Sequence, residues 1–149
     1  METKTQISKI SHRRNDALLG EKKEKKSRGI KKILVADDDP AIIDVLTLML
    51  EEAGYQVYAS ANGHTVTDVN KIHPDLILLD ILMSGISGHE ICKELRNQPS
   101  TKHIPVIMIS ASKDSKEIAL NACANDFIAK PFEMDSLLRK VAKFTKSKS

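Results

Sequence analysis

Short, uninterrupted apolar runs are the feature of this sequence that most restricts its fold. Three of them, KILVA at 32–36, DLILL at 75–79 and PVIMI at 105–109, show no alternation of apolar with polar residues. A strand with one face in solvent would alternate, so these runs predict strands that are covered on both faces. Sheets of that kind consist of parallel strands joined by helices, and the sequence therefore predicts an α/β fold.

The segments between the apolar runs alternate with them in type, as a chain of βαβ units requires. The predicted strands are Lys32–Ala36, Tyr55–Ser60, Asp75–Leu79, Pro105–Ile109 and Phe127–Ala129. The predicted helices are 40–53, about 64–72, Gly88–Asn97, about 113–123 and Glu133–Thr145, with a loop at Ser84–Ser87. Five such units with right-handed crossovers predict a doubly wound parallel sheet.

The helix after the first strand has recognisable ends. Asp39 is predicted to be its N-cap and Pro40 its first residue, because Pro lacks the N–H that this position leaves unpaired anyway. Gly54 follows the last apolar position and predicts the end of the helix.

Polar residues stand at the predicted ends of four strands. Asp37 and Asp38 follow the first strand, Asp80 the third, Ser110 the fourth and Lys130 the fifth. Ligands of doubly wound sheets bind beyond the carboxyl ends of the strands, so these groups would meet if the four strands are neighbours. Clustered carboxylates repel one another unless a hard cation joins them, and oxygen ligands suit Mg²⁺. Lys130 and Ser110 would add an ammonium and a hydroxyl suited to phosphoryl oxygens.

The basic charge of the chain is concentrated at its N-terminus. Residues 1–32 carry 11 Lys and Arg against 4 Asp and Glu, whereas residues 33–149 carry 12 against 16. We interpret residues 1–29 as a basic, disordered arm and residues 30–149 as the folded domain. A Lys-rich arm can bind polyanions, but an aromatic content of 3% argues against a base-stacking nucleic-acid surface.

Neither a membrane segment nor a secretory signal is visible in the sequence. No apolar run approaches the roughly 18 residues that a membrane helix needs, and the basic N-terminus lacks the apolar stretch of a signal peptide. Cys92 and Cys123 have neither metal-site spacing nor a disulfide framework, so we interpret them as small buried side chains. We expect a cytoplasmic protein without membrane insertion.

Four stretches of the chain resemble the response-regulator receiver family of two-component signal transduction. They are ILVADDDPAI, PDLILLDILMSGISGHEICKEL, IPVIMISAS and NDFIAKPF, in the family's order and close to its spacing. The resemblance implies a flavodoxin-like fold with five parallel strands in the order 2-1-3-4-5 and five helices. It also implies a phosphorylation-dependent switch with Mg²⁺ as cofactor. The phosphoryl donor would be a sensor histidine kinase or a histidine phosphotransfer protein, and the chain would have no activity beyond self-phosphorylation and autodephosphorylation.

Position by position, the resemblance implies roles for the residues that hold the metal and accept the phosphoryl group. Asp80 is similar to the family's phosphoacceptor. Asp37 and Asp38 are similar to its pair of metal-binding acids, with Asp38 in direct contact and Asp37 acting through water. The backbone carbonyl of Leu82 is implied as a further metal ligand.

A second group of residues is implied in switching and in phosphoryl lifetime. Ser110 and Lys130 are similar to the family's phosphoryl-binding residues, and Phe127 stands at the position of its aromatic switch. Leu82 and Ser112 stand where the family's side chains flank the path of the hydrolytic water. The resemblance also implies a cis Lys130–Pro131 bond.

Two positions depart from the family pattern. Ser84 stands where Pro usually follows Met83, and Cys123 stands where Gly usually ends the fourth helix. Both bear on the switching surface more than on the phosphorylation chemistry.

We expect the output of this domain to be contact with another protein. Few residues follow the last predicted helix, and we expect no DNA-binding or enzymatic domain there. A stand-alone receiver would pass its phosphoryl group onward in a relay or dock a downstream target, as a monomer or as a phosphorylation-dependent dimer.

Two other functions stay open at this point. A Mg²⁺-dependent phosphohydrolase of the haloacid-dehalogenase type also uses an Asp nucleophile, but it carries this residue in a D-x-D motif after its first strand. Asp37-Asp38-Asp39 would have to serve as that motif. The other possibility is a receiver that regulates nucleic-acid binding by the basic arm.

Overall fold

Seven strands and four helices make up the described part of the chain. The computed structural model describes residues 29–60, 64–83, 86–111 and 124–146. The strands are β1 (Lys32–Ala36), β2 (Gln56–Ser60), β3 (Leu76–Asp80), β4 (Leu82–Met83), β5 (Ile86–Ser87), β6 (Val106–Ser110) and β7 (Asp126–Ala129). The helices are α1 (Pro40–Glu52), α2 (Thr65–Ile72), α3 (Gly88–Arg96) and α4 (Met134–Thr145).

Five of the strands form one parallel sheet in the order β2-β1-β3-β6-β7. The short strands β4 and β5 pair with each other instead, so the strands of the main sheet, numbered along the chain, follow the order 2-1-3-4-5. This confirms the predicted doubly wound, flavodoxin-like α/β fold. Four of the five predicted helices are present, and the one predicted at about 113–123 lies outside the described residues.

Helices cover both faces of the sheet and divide its apolar side chains into two clusters. Successive strand residues point to opposite faces. Leu34 and Ala36 of β1 therefore pack with residues of α2 and α3, whereas Ile33 and Val35 pack with residues of α1 and α4. All residues of β3 and β6 are buried, which explains why these strands show no alternation in the sequence.

The ends of α1 are those predicted from the sequence. The Asp39 side chain accepts a hydrogen bond from the N–H of Ala41 at 3.0 Å, and Pro40 is the first residue of the helix. Gly54 follows the C-cap residue Ala53 with φ of +102°, a backbone conformation that glycine adopts most readily.

Two predicted strand ends and one predicted loop need correction. The sequence places the ends of β3 and β6 at their last apolar residues, but Asp80 pairs with Ile109 and Ser110 with Ala129. Backbone hydrogen bonds do not depend on side-chain polarity, so both strands include their terminal polar residue. Part of the predicted loop Ser84–Ser87 is strand, because β5 pairs antiparallel with β4; strands of two residues are too short for a periodic signal.

Within the described ranges, no helix combines the length and the apolar character needed to cross a bilayer. The longest of these helices, α1, has 13 residues, against the roughly 20 that a membrane helix needs. The cytoplasmic location expected from the sequence stays a prediction.

Replacing Gly54 with Ala should lower the free energy of unfolding by about 1–2 kcal/mol, the cost of a left-handed backbone for an L-residue. No heavy atom lies within 4 Å of the position its Cβ would take, so no steric clash should add to this cost. Urea unfolding with an unchanged m-value would measure the effect. Gly54→Asn should lose less, because Asn tolerates positive φ better. Equal stability of wild type and Gly54→Ala would contradict the assigned conformation.

Candidate functional site

The polar residues at the strand ends lie along one edge of the sheet. Asp37 and Asp38 directly follow β1, Asp80 is the last residue of β3, Ser110 is the last residue of β6, and Lys130 directly follows β7. These four strands are consecutive in the sheet and all parallel. The structure therefore brings to one edge the groups that the sequence predicts to converge.

Three of these residues form an acid cluster, consisting of Asp37, Asp38 and Asp80. One carboxylate oxygen from each lies within 4.8 Å of the other two. Asp37 is 2% exposed and Asp80 6% exposed, so water screens their mutual repulsion poorly. Two like charges 4 Å apart repel by about 4 kcal/mol at an effective dielectric constant near 20.

Lys130 partly balances the negative charge of the acid cluster. Its Nζ atom lies 3.3 Å from Asp37 Oδ2 and 3.8 Å from Asp80 Oδ1. Its backbone N–H donates to the carbonyl oxygen of Ser110 at 2.9 Å, and the Lys130–Pro131 bond is cis, as the resemblance implies. The three carboxylates of the cluster together form a set of oxygen ligands, which fits a hard divalent cation such as Mg²⁺.

Asp39 belongs to helix α1 rather than to the acid cluster. Its backbone N–H donates to Asp37 Oδ1 at 2.9 Å, while its own carboxylate accepts from the N–H of Ala41. A haloacid-dehalogenase motif would need both outer acids of Asp37-Asp38-Asp39 at the reaction centre. The structure instead uses Asp39 as a helix cap and supplies the third carboxylate from Asp80, at the end of β3.

Gly88 is a site residue whose role the sequence reasoning missed, since it was placed only as the start of a helix. A Cβ atom on Gly88 would lie 2.3 Å from the carbonyl oxygen of Asp80 and 2.8 Å from the Cα atom of Ile81. The N–H of Gly88 donates to the Ile81 carbonyl at 2.7 Å. Only glycine allows α3 to start this close to the backbone of Asp80.

Of the remaining predicted residues, some lie within the described part of the structure and others do not. Phe127 lies in β7, partly buried against the apolar cluster on the α2–α3 side of the sheet. Leu82 lies in β4, two residues after Asp80, but its side chain is outside the described part of the structure. Ser84, Ser112 and Cys123 also lie outside the described residues. Cys92 is fully buried, as predicted.

The sequence profile of the response regulator receiver domain matches residues 33–142. This range covers most of the chain and contains the whole acid cluster together with Lys130. The chain belongs to the response regulator receiver family. Receiver domains are phosphorylation-dependent switches of two-component signalling, and this membership decides against the haloacid-dehalogenase alternative.

Two regulators named as DNA-binding are similar to this receiver domain in sequence. The DNA-binding response regulator MtrA of Mycolicibacterium smegmatis is 33% identical over 113 residues, which are 74% of this chain and 48% of that protein. The DNA-binding dual master transcriptional regulator RpaA of Synechocystis is 35% identical over 113 residues, which are 74% of this chain and 47% of that protein. The chain spans about half the length of each relative.

Solved receiver structures share the fold. A response regulator from Chloroflexus aurantiacus superposes with a TM-score of 0.75 at 34% identity, covering 79% of this chain and 99% of that one. The receiver domain of sensor histidine kinase PA1611 from Pseudomonas aeruginosa superposes with a TM-score of 0.73 at 30% identity, covering 79% and 99%. The latter structure has a magnesium ion coordinated in its active site cleft.

Replacing Asp80 with Asn should stabilise the metal-free receiver domain by about 1 kcal/mol, because it removes one of three mutually repelling carboxylates. The Lys130 ammonium should stay in place, since it lies closer to Asp37 than to Asp80. Urea unfolding in the presence of EDTA would measure the change. Asp39→Asn is the matched control and should leave stability unchanged, because Asn caps a helix as well as Asp does. A loss of stability in Asp80→Asn would contradict the electrostatic account.

Proposed function

We propose that this receiver domain accepts a phosphoryl group on Asp80. One observation carries the proposal: the Asp80 carboxylate lies within reach of two further acids and 3.8 Å from the Lys130 ammonium. Asp80 is also the last residue of the central strand β3, and its pairing with Ile109 of β6 fixes its backbone in the sheet. A carboxylate at this position combines a fixed location with a local charge set suited to phosphoryl transfer.

The proposed reaction moves one phosphoryl group between two nucleophiles. A carboxylate oxygen of Asp80 attacks the phosphorus atom of a phosphohistidine on the donor protein. The phosphorus–nitrogen bond breaks, its electron pair returns to the imidazole, and an acyl phosphate remains on Asp80. Lys130 and the Ser110 hydroxyl would bind the phosphoryl oxygens as they gain negative charge.

Mg²⁺ is the cofactor that the acid cluster fits best. Asp38, Asp80 and the backbone carbonyl of Leu82 would supply its protein oxygens directly, and Asp37 would act through water. A bound Mg²⁺ would neutralise charge on the phosphoryl oxygens and on the attacking carboxylate. The magnesium in the similar PA1611 receiver domain supports this assignment.

We propose that phosphorylation changes a binding surface through Ser110 and Phe127. Ser110 is 2% exposed at the end of β6, and its backbone carbonyl is bonded to the N–H of Lys130. A side chain that turns toward a phosphoryl group here would vacate space on the α2–α3 side of the sheet, where Phe127 packs. The proposed activities are self-phosphorylation and autodephosphorylation, and the proposed output is contact with a downstream protein.

The partners follow from the receiver class. We propose a sensor histidine kinase or a histidine phosphotransfer protein as donor, and a monomer or a phosphorylation-dependent dimer as the acting form. The similar regulators MtrA and RpaA are named as DNA-binding, but the 113 matched residues make up only about half of each. A nucleic-acid role of the basic arm at 1–29, and the division into arm and receiver at residue 30, remain predictions from the sequence.

Acetyl phosphate and Mg²⁺ should add one phosphoryl group to the wild-type chain and none to Asp80→Asn, because the other two acids of the cluster, Asp37 and Asp38, are assigned to the metal rather than to the phosphoryl group. Intact-mass measurement at neutral pH would detect the adduct, and EDTA should abolish it. Asp39→Asn should be phosphorylated like the wild type. A phosphoryl group on Asp80→Asn, or phosphorylation of the wild type that resists EDTA, would show that another site accepts it.

The phosphoryl group should persist for many minutes, because neither residue predicted to flank the hydrolytic water is suited to orient it. Leu82 has no hydrogen-bonding side chain, and Ser112 has a short one. Leu82→Asn should accelerate loss of the phosphoryl group by about tenfold, the effect of one added positioning interaction. Decay of the phosphorylated mass after removal of acetyl phosphate would give both rates. A wild-type half-life of seconds, or equal rates in the variant, would contradict the prediction.

A further inference from the structure

A buried polar cluster lies beside the acid cluster without being part of it. Ser60, Thr65 and Asp68 are 3%, 0% and 1% exposed. The Ser60 hydroxyl donates to Asp68 Oδ2 at 2.8 Å and lies 3.2 Å from the Thr65 hydroxyl. A hydroxyl has one proton to donate, so the Thr65 hydroxyl is the donor when Asp68 is ionised. These contacts, termed here the Ser60–Asp68 clamp, tie the last residue of β2 to α2.

The acid at position 68 carries an electrostatic cost for the fold. Burial raises the pKa of the Asp68 carboxyl group, while the hydrogen bond from Ser60 and the electrostatic effects of His64 and Lys71 lower it. A folded-state pKa above the ordinary value means that ionisation of Asp68 lowers stability as the pH rises through it. An apolar side chain of the same shape would avoid that cost but would leave the buried Ser60 hydroxyl without its acceptor.

Ser60 also contacts the acid cluster, through its backbone. Its backbone carbonyl accepts a hydrogen bond from the N–H of Asp37 at 3.3 Å. This bond extends the ladder between β1 and β2 one residue beyond the pair formed by Ala36 and Ser60. Because β2 is an edge strand, β1 is its only neighbour in the sheet. The clamp therefore supplies the restraint that a second neighbouring strand would otherwise give to Ser60.

We propose that Asp68 is a positioning residue for the metal-binding acids. Its carboxylate holds the Ser60 side chain, and the Ser60 carbonyl in turn holds the backbone of Asp37, whose carboxylate lies within 4.8 Å of those of Asp38 and Asp80. This inference rests on the proposed function, because it takes Asp37 as part of the metal site. Loss of the clamp should loosen the Asp37 backbone and weaken Mg²⁺ binding while the fold stays intact.

The test compares two variants of Asp68 with a distant control. Asp68→Leu keeps the branched shape but removes the acceptor for Ser60, whereas Asp68→Asn keeps one carbonyl oxygen that can accept the same bond. Thr101→Val removes another buried hydroxyl bond, from Thr101 Oγ1 to the Leu95 carbonyl at 2.6 Å. Thr101 precedes β6 and so lies away from the strand ends that carry the acids.

Two measurements on the full chain decide the matter: hydrogen exchange of the Asp37 amide without metal, and the Kd for Mg²⁺ by titration calorimetry. Asp68→Leu should speed hydrogen exchange of the Asp37 amide and leave exchange in the centre of β3 unchanged or slower. It should also weaken Mg²⁺ binding by about tenfold, as loss of a residue that supports a metal site does. Asp68→Asn should stay within about twofold of wild type in Mg²⁺ affinity, because it retains one oxygen that accepts the bond from Ser60. Thr101→Val should leave both quantities at their wild-type values.

Contradictory outcomes separate this inference from the proposed function. Unchanged Asp37 exchange and unchanged Mg²⁺ affinity in Asp68→Leu would overturn the positioning role while leaving the receiver chemistry in place. Equal weakening by Thr101→Val would also overturn it, because the effect would then be one of general stability. Absence of Mg²⁺ binding by the wild type would refute the proposed metal site, and the exchange measurement would still decide whether Asp68 restrains Asp37.

Discussion

Burial of the central strands on both faces is the constraint on which the rest of this structure depends. The side chains of β3 and β6 are covered by apolar clusters on each side of the sheet. An ionised group within such a strand would lose its hydration without gaining a partner, so charged residues are confined to the points where the chain leaves the sheet. In a parallel sheet the carboxyl ends of all strands lie on the same side, so residues that directly follow the strands come close together. The gathering of acids there is a consequence of the packing.

The acids gathered at the strand ends repel one another, and this repulsion favours the binding of a cation there. Asp37 and Asp80 are almost fully buried, so their mutual repulsion and that with Asp38 are poorly screened, although the Lys130 ammonium offsets part of the repulsion. A divalent cation would offset more of it and would make the same edge receptive to a phosphoryl group. The same carboxylate repulsion that lowers the stability of the metal-free site would raise its affinity for a cation. Such a conflict between polar groups and stability is common at functional sites.

The sequence predicts much of this arrangement, because the apolar runs and helix caps that are easiest to recognise in it are also the features that determine most of the fold. Uninterrupted apolar runs and capping residues such as Asp39 act locally, so β1, β3, β6 and the ends of α1 could be predicted to within one residue. Features that depend on contact between distant segments could not. The approach of Gly88 to the Asp80 backbone, the two-residue strands β4 and β5, and the bond from Ser60 to Asp68 leave no periodic pattern. A lone Asp in a weak amphipathic helix normally indicates a solvated face, and only the structure shows Asp68 to be buried.

The central claim is that the strand-end residues form one metal-dependent phosphoryl site. Amide chemical-shift mapping with beryllofluoride, a phosphoryl analogue, tests it most directly. In the presence of Mg²⁺, the largest shifts should fall on Asp37 and Asp38 after β1, on the last residues of β3 and β6, and on Lys130 after β7. EDTA should abolish these shifts. Shifts of equal size without Mg²⁺, or shifts centred away from Asp80, would contradict the account.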